Sequence, residues 1–590
     1  MQKNSKKVHL YPFTAGYRLV SFLSGFFVIL EVVAQVLIPF FISELMDKGL
    51  KVGMPKTDMD AIVKYGLIIL GLSFISLIFG ILSGVCASKA AAGLGKNIRK
   101  AIYENIVSLS FKNLDKYSSG SLITRMTNDI INVQNAYLMI VRTLVRAPIM
   151  IVFAIIMAFV NAAMLASVLI GVVFVLAIIV FTIMFLVFKR YGLMLSSYDK
   201  LNNKISENLI AMRTIKAFAK EEKEFKEFEK QTKDVKRISI YTEKLMSLSQ
   251  PIFSGAIYLC VFAFILIATN HMVFTPFNEW TITPGVLVSF FGYMFQVLIS
   301  FVLVAMSVAT ITIAKASVGR IKEILGEKSY IQNPENPITE VKNGSIEFVD
   351  VYLKYSTNAQ LENLSNINLK INAGETIGII GKTGSSKSSL VSLLPRLYDV
   401  TSGKVLIDGH NVKDYDVASL RDAVSMVLQK NTLFSGTIRE NMLWGNENAT
   451  DSEIIEALKQ ASAYEFVFEK ENGLDSKVEE GGNNFSGGQK QRLCIARALL
   501  KKSKIIVLDD STSAVDNNTD RKIREEFSNN LKDVTKLIIA QRITSIENAD
   551  RIIVLDDGKV SGYDTHENLL KNNEFYANLW KDQLAGGGNE

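Results

Sequence analysis

Two short stretches hold the residue types that phosphate chemistry needs. Residues 378–389, Gly-Ile-Ile-Gly-Lys-Thr-Gly-Ser-Ser-Lys-Ser-Ser, follow an aliphatic run and precede the apolar LVSLLPRLY. A strand, loop and helix in that order turn the backbone N–H groups of Gly381, Lys382, Thr383, Gly384, Ser385 and Ser386, and a helix N-terminus, toward phosphate oxygens. Lys387 would neutralise β/γ-phosphate charge, and Ser388, followed by Ser389, supplies a hydroxyl for Mg²⁺. The usual spacing is G-x-x-x-x-G-K-[ST], and Ser386 stands where the second glycine is expected. The other stretch, KIIVLDDSTSAVD at 504–516, reads as a buried strand that delivers two carboxylates, Asp509 and Asp510, to its end. A lysine in such a loop and an acid closing a buried strand have no evident packing purpose.

The elements that must position these residues emerge from composition. The 590 residues are 49% hydrophobic, with mean hydropathy +0.23, which predicts a membrane domain joined to a soluble one. Six apolar spans are expected, near 18–45, 62–87, 138–160, 162–188, 252–270 and 285–310. They make residues 1–325 an α-helical transmembrane domain. Lys3, Lys6 and Lys7 before the first span, and Lys89, Lys96, Arg99 and Lys100 after the second, place those ends and both termini of the membrane domain in the cytoplasm. Long polar helical connections follow spans two and four and should carry the helices beyond the bilayer. The polar stretch 326–344, with two prolines, reads as a linker. In 345–590, short β-rich runs alternate with helical stretches, as in an α/β domain with a largely parallel sheet. The net charge of +7 is spread along the chain and follows positive-inside topology, not nucleic-acid binding. The first apolar segment is too long for a signal-peptide core, and Cys86, Cys260 and Cys494 have neither metal nor redox spacing.

Further motifs keep a fixed order: Tyr355 in DVYLKYS, Gln429 in VSMVLQKNTLF, Ser486-Gly487-Gly488-Gln489 in NNFSGGQKQR, and Ser513 to Asp516 directly after the acid pair. This series resembles the ATP-binding cassette (ABC) family, and the six-span half resembles its exporter branch, as do GSLITRMTND at 120–129 and ENLIAMRTIKAFAKEE at 207–222. The resemblance implies an ATP-driven membrane translocase that uses ATP and Mg²⁺. It implies that Tyr355 stacks on adenine, that the 381–388 loop holds the phosphates, and that Asp509, Ser388 and Gln429 serve Mg²⁺, partly through water. It also implies that Ser486–Gln489 caps the γ-phosphate of ATP on a facing cassette, with Ser513 and Asp516 at that interface. The plainer readings are a sheet-packing aromatic at Tyr355 and a helix cap at Asp516. Residues 111–120 and 208–216 become the expected contacts between membrane domain and cassettes, the second mainly with a partner's cassette.

Three departures from the family pattern fall in one pocket. Hydrolytic members carry Glu where this chain has Asp510; the shorter side chain draws the carboxylate back by about 1.5 Å, and a misplacement near 1 Å costs on the order of 100-fold in rate. Gln541 replaces the usual His of the switch position and cannot become cationic. Ser386 adds a side chain to a loop that relies on glycine. The Ser486–Gln489 segment, which serves the opposite pocket, is intact. The expectation is therefore the degenerate-site subunit of a bacterial heterodimeric multidrug exporter in the cell membrane, partnered by a second half-transporter that supplies Glu and His. Its substrate would be a small amphipathic molecule.

The other readings are a slowly hydrolysing homodimeric lipid or peptide exporter and a nucleotide-gated channel or regulator. The short basic N-terminus before the first span argues against a peptide-processing exporter. In the first span, Glu31 and Gln35 lie one helical turn apart and are candidates for recognising a cationic substrate, or for a simple helix–helix hydrogen bond. Arg142 and Arg146 read as structural anchors toward the cytoplasmic end of the third span. The Met and aromatic residues at 290–296 read as helix packing.

Overall fold

The computed structural model describes residues 9–50, 57–276, 280–355, 361–510 and 516–586. The chain divides into two units, one of residues 1–107 and 118–327, the other of 108–117 and 328–590. The short helix Phe111–Leu114 therefore belongs with the second unit, although its neighbours in sequence lie in the first.

The first unit is helical. Its elements are α1 (Arg18–Leu50), α2 (Met59–Ser108), α3 (Ser119–Asn161), α4 (Ala163–Ile210), α5 (Glu221–Ser247), α6 (Ser249–Phe274) and α7 (Pro284–Gly326). Among the described residues, five helices are long and apolar enough to cross a membrane; the apolar part of α4, Ala163–Ile179, runs across residues whose side chains are not described. At 1.5 Å per residue, the 50 residues of α2 span about 75 Å, far more than the ~30 Å hydrocarbon core, so its polar end continues past the bilayer. Small residues allow close packing: Ala147, Ala154 and Ala158 of α3 are fully buried, and the last two pack in one core with Val28, Val32 and Val36 of α1. Phe290 of α7 meets Phe264 of α6 and Tyr293 edge to face, at 5.4 and 6.1 Å. Below the apolar region, Arg320 of α7 donates through Nε to Asp129 at 2.7 Å, as does Ser317, and Arg125 pairs with Glu323 at 3.0 Å. The charges of the TRMTND stretch thus tie α3 to α7 and are not left to solvent.

The second unit is an α/β cassette. An antiparallel sheet contains β1 (Ile346–Leu353), β2 (Leu364–Ile371) and β4 (Ser402–Ile407), with β1 in the middle. A six-stranded sheet contains β3 (Thr376–Gly381), β5 (Val424–Val427), β6 (Ile505–Asp509), β7 (Thr535–Ile539), β8 (Arg551–Asp556) and β9 (Lys559–Asp564), in the order β9-β8-β3-β7-β6-β5. Only the β8–β9 hairpin is antiparallel. β6 is buried at all five positions, as expected of an aliphatic run covered on both faces. The polar stretch 326–344 lies along the cassette: Ile338 bridges to Tyr415, and Ile331 and Val341 are buried.

Candidate functional site

Four consecutive strands, β3, β7, β6 and β5, run parallel, and the residues of interest follow their carboxyl ends. The 381–388 loop follows β3, Gln541 follows β7, Asp509 and Asp510 close β6, and Gln429 follows β5. Register holds them level, since Ile539 pairs with both Ile379 and Asp509. Ligands of open α/β sheets bind at this edge.

The loop is shaped for close approach of an anion. A Cβ at Gly381 would lie 2.1 Å from the Leu555 carbonyl oxygen, so only glycine fits, and Gly384 takes φ +88°. The Ser385 hydroxyl is buried without a hydrogen-bond partner, and Lys387 Nζ donates only to the carbonyls of Gly381 and Lys382, at 2.8 and 2.9 Å. Lys382 itself lies 3.6 Å from Asp556, while Thr383 is exposed. Burial pushes the Lys387 ammonium pKa down, opposed by Asp509 and Asp510. A polyanion would relieve both strains, which is the fit expected of nucleotide phosphates. Ser386 opens the helix Lys387–Ser392 in the left-handed region, φ 68°, and makes no capping hydrogen bond with its side chain. Here the departure from glycine is a conformational strain as well as a crowding.

Beside the loop, burial raises the pKa of Asp509, and a hydrogen bond from Ser388 and the charge of Lys387 oppose the rise. Ser388 and Asp509 would hold Mg²⁺ together with phosphate oxygens; among the described residues no three carboxylate, His or Cys groups gather as a metal site by themselves. An ion held by one or two protein oxygens plus phosphates suits Mg²⁺. Asp510 is engaged on every side. Gln541 Nε2 donates to its Oδ2 at 2.6 Å, Gln429 Nε2 reaches the same oxygen at 3.5 Å, and Gln491 Nε2 donates to its backbone carbonyl at 3.1 Å. Gln541 is fixed in turn, because Gln583 donates to its carbonyl at 2.9 Å and accepts from Ile543 N–H. Burial raises the Asp510 pKa despite the two amides.

Tyr355 follows β1 and is 37% exposed. Its hydroxyl donates to Ser389 at 2.9 Å, and its ring lies 4.8 Å from Tyr398, edge to face. Tyr398 donates to Asp115 at 2.7 Å and also meets Phe111, so the short helix Phe111–Leu114 reaches the Tyr355 side of the pocket. Ser486 caps the helix Gly487–Leu500 in a reciprocal box with Gln489, and Ser486 and Gly487 are exposed at its N-terminus. Gly488 completes this turn. Asp516 caps the helix Asn517–Asn530 through Thr519 N–H at 3.0 Å; Ser513 lies outside the described residues. Sequence reasoning missed Tyr398, Gln491 and Gln583, whose roles arise from folding alone.

In the membrane unit, Glu31 and Gln35 come together with both arginines. Arg146 pairs with Glu31 at 3.4 Å and donates to Gln35 at 2.9 Å, while Arg142 donates to the Gly80 carbonyl at 3.3 Å. Both arginines thus tie helix α3 to its neighbours, Arg146 to α1 and Arg142 to α2. An acid buried to 4% exposure requires a cation, and helix α3 supplies it.

A multi-span helical domain and a phosphate-loop cassette with its own signature helix define a class: membrane transporters driven by nucleotide hydrolysis. Residues 21–301 match the family described as ABC transporter transmembrane region, and residues 364–513 match ABC transporter. The chain is 33% identical to the uncharacterized ABC transporter ATP-binding protein YfiB of Bacillus subtilis, with both chains covered in full. It is 29% identical to the ATP-dependent lipid A-core flippase of Desulfotalea psychrophila, over 97% of this chain and 98% of that one. A solved bacterial Atm1-family ABC exporter with ATP bound superposes with TM-score 0.80 at 22% identity, over 96% of this chain and 99% of that one. The chain belongs to the ABC transporter family, as a multi-pass membrane exporter half with its ATP-binding domain on the same polypeptide. ATP-driven transport by membrane dimers, with the cassette in the cytoplasm, is the activity of this class.

Proposed function

We propose that this chain is the degenerate-site half of a heterodimeric exporter of small amphipathic molecules. The observation that carries the reading is the Asp510 carboxylate, held at 2.6 Å by Gln541, in a cassette whose signature helix is intact. A general base must be free to accept a proton from water at hydrogen-bond distance. Asp510 is short, and the oxygen nearest the switch position already accepts from an amide. ATP bound here would be retained: Lys387 leaves the loop carbonyls for the phosphates, the loop N–H groups surround them, and Tyr355 covers the adenine. Mg²⁺, held by Ser388 and Asp509 with Gln429 nearby, would neutralise phosphate charge. The exposed Ser486–Gln489 turn would complete a second pocket whose base and switch His come from a partner.

Two surfaces support assembly with another chain. Leu209, Ile210 and Phe218, at 66%, 84% and 69% exposure, form an apolar tip around the short helix Met212–Ala217. The cassette carries a groove of about 340 Å³ lined by Leu428, Phe434 and Trp444, a suitable receptor for such a tip from a second half.

The test is co-purification. The chain expressed alone should hydrolyse ATP poorly, and a partner half-transporter with Glu and His should raise turnover sharply. A stable homodimer with robust turnover that Asp510→Ala abolishes would refute the heterodimer. A homodimeric lipid exporter is the second reading, favoured by the full-length similarity to the lipid A-core flippase. Ion currents without ATP-driven vesicle uptake would point instead to a gated channel.

A further inference from the structure

The membrane unit contains a cavity of about 870 Å³ between α1, α2 and α3, lined by Glu31, Gln35, Ser76, Leu77, Ile81 and Arg142. Glu31 and Arg142 line its polar end, and Arg146 pairs with Glu31 from outside the lining. Glu31 is neutralised by Arg146 and also accepts from Gln35 Nε2 at 3.3 Å. Arg142 has no carboxylate within ion-pair reach among the described residues, and its hydrogen bond goes to a backbone carbonyl. Among the described residues the cluster therefore carries one net positive charge within the membrane-spanning helices, where charges persist only with a compensating group. Glycine spacing on α2 brings the groups together. A Cβ at Gly80 would meet the Glu31 carboxyl at 3.4 Å, and one at Gly84 would meet the Arg142 guanidinium at 3.2 Å, so both side chains lie over the same glycine face.

Glu31 Oε2 is buried and has no hydrogen-bond partner among the described residues. A ligand here could set an anion against Arg142 and a hydroxyl donor against Oε2. Leu77, Ile81 and Val85, at 57%, 56% and 60% exposure, continue the wall as an apolar stripe.

We propose that this cavity binds an anionic amphiphile whose head group carries a phosphate or carboxylate and a hydroxyl, with Arg142 as the specificity-determining residue and the α2 stripe receiving the acyl chain. The inference rests on the exporter reading and reverses the cation preference expected from Glu31 alone. A cationic head would face Arg142 and compete with Arg146 for a carboxylate already paired.

The experiment uses the full chain assembled with its partner in lipid nanodiscs and three fluorescent probes of equal tail length: an NBD-labelled lysophosphatidic acid, an NBD-labelled fatty acid and an NBD-labelled alkyl trimethylammonium. Equilibrium binding should favour the two anions over the ammonium probe, and the phosphate probe, which alone has the hydroxyl, over the fatty acid. Arg142→Ala should weaken the anionic probes about tenfold or more, as loss of a charge-assisted contact does. Arg142→Lys should retain most of the affinity and carries the test, with Arg142→Gln, if the alanine variant does not fold. Glu31→Gln, which removes the carboxylate paired with Arg146, should tighten binding of the anionic probes and weaken that of the ammonium probe. Equal or tighter binding of the ammonium probe, or anion binding indifferent to all Arg142 variants, would overturn the site. Those results with ATP turnover intact leave the exporter reading standing; loss of that reading would show separately, as absent turnover with any partner.

Discussion

Asp510 concentrates the residue-scale questions, because it is short by one methylene, held by Gln541 and backed by Gln491. With the partner's own catalytic base removed, the double change Asp510→Glu and Gln541→His should raise this pocket's ATP turnover by roughly 100-fold, the rate attached to an ångström of misplacement. An unchanged rate would show that another feature silences the pocket. The raised pKa of Asp510 means that the folded state holds this proton more tightly than the unfolded chain. Its stabilising effect is full below the ordinary carboxylate pKa and is lost as pH rises through the folded value. Asp510→Asn, which never ionises, should thus raise the urea midpoint at pH 7.5, followed by the cassette tryptophans Trp444 and Trp580, and the gap should close as the pH is lowered. At Ser386, with φ 68° and no side-chain cap, glycine should add about 1 kcal/mol by removing left-handed strain. A lower midpoint would mean that the hydroxyl makes a contact worth more than the strain.

At the scale of elements, the parallel order β3-β7-β6-β5 explains why residues from four distant segments converge, since each follows the same end of a strand. A second assembly is built from tyrosines: Asp115, Tyr398, Tyr355 and Ser389 form a continuous chain from the short helix Phe111–Leu114 to the phosphate loop. Burial and the Asp115 carboxylate both push the Tyr398 phenol pKa up, so its hydroxyl stays a donor at any physiological pH. Tyr398→Phe keeps the ring against Tyr355 and removes the bond to Asp115. ATP binding should remain within about twofold while substrate stimulation of turnover falls, the lost charged hydrogen bond being worth about 1.5–3 kcal/mol. Stimulation that survives the change would reduce the contact to packing.

The whole molecule asks which pocket each motif serves. Within an assembled pair, replacing Gly487, at the exposed start of the helix Gly487–Leu500, should abolish most turnover, whereas Asp510→Asn should cost far less. Equal losses from the two changes would defeat the proposed division between a retaining and a hydrolysing pocket. Much of this organisation was legible in the sequence. Lys387, Asp509 and the Ser486–Gln489 turn stand out because phosphate chemistry restricts residue type and spacing locally. The roles of Tyr398, Gln491 and Gln583 and the pairing of Arg146 were not legible, because each acts on a residue remote in sequence, and no local pattern marks such a pairing.

The membrane-plus-cassette architecture, the phosphate loop and the three departures at Ser386, Asp510 and Gln541 follow from sequence alone, because hydropathy, strand–loop–helix order and residue type are local properties. The tertiary structure decided what those departures do. It placed Gln541 on the Asp510 carboxylate and put Ser386 in a left-handed conformation. It also set Arg146 against Glu31 and placed Arg142 over the glycines of α2 with no carboxylate partner among the described residues. Charge balance in a low-dielectric interior depends on which side chains meet, and that is a property of packing.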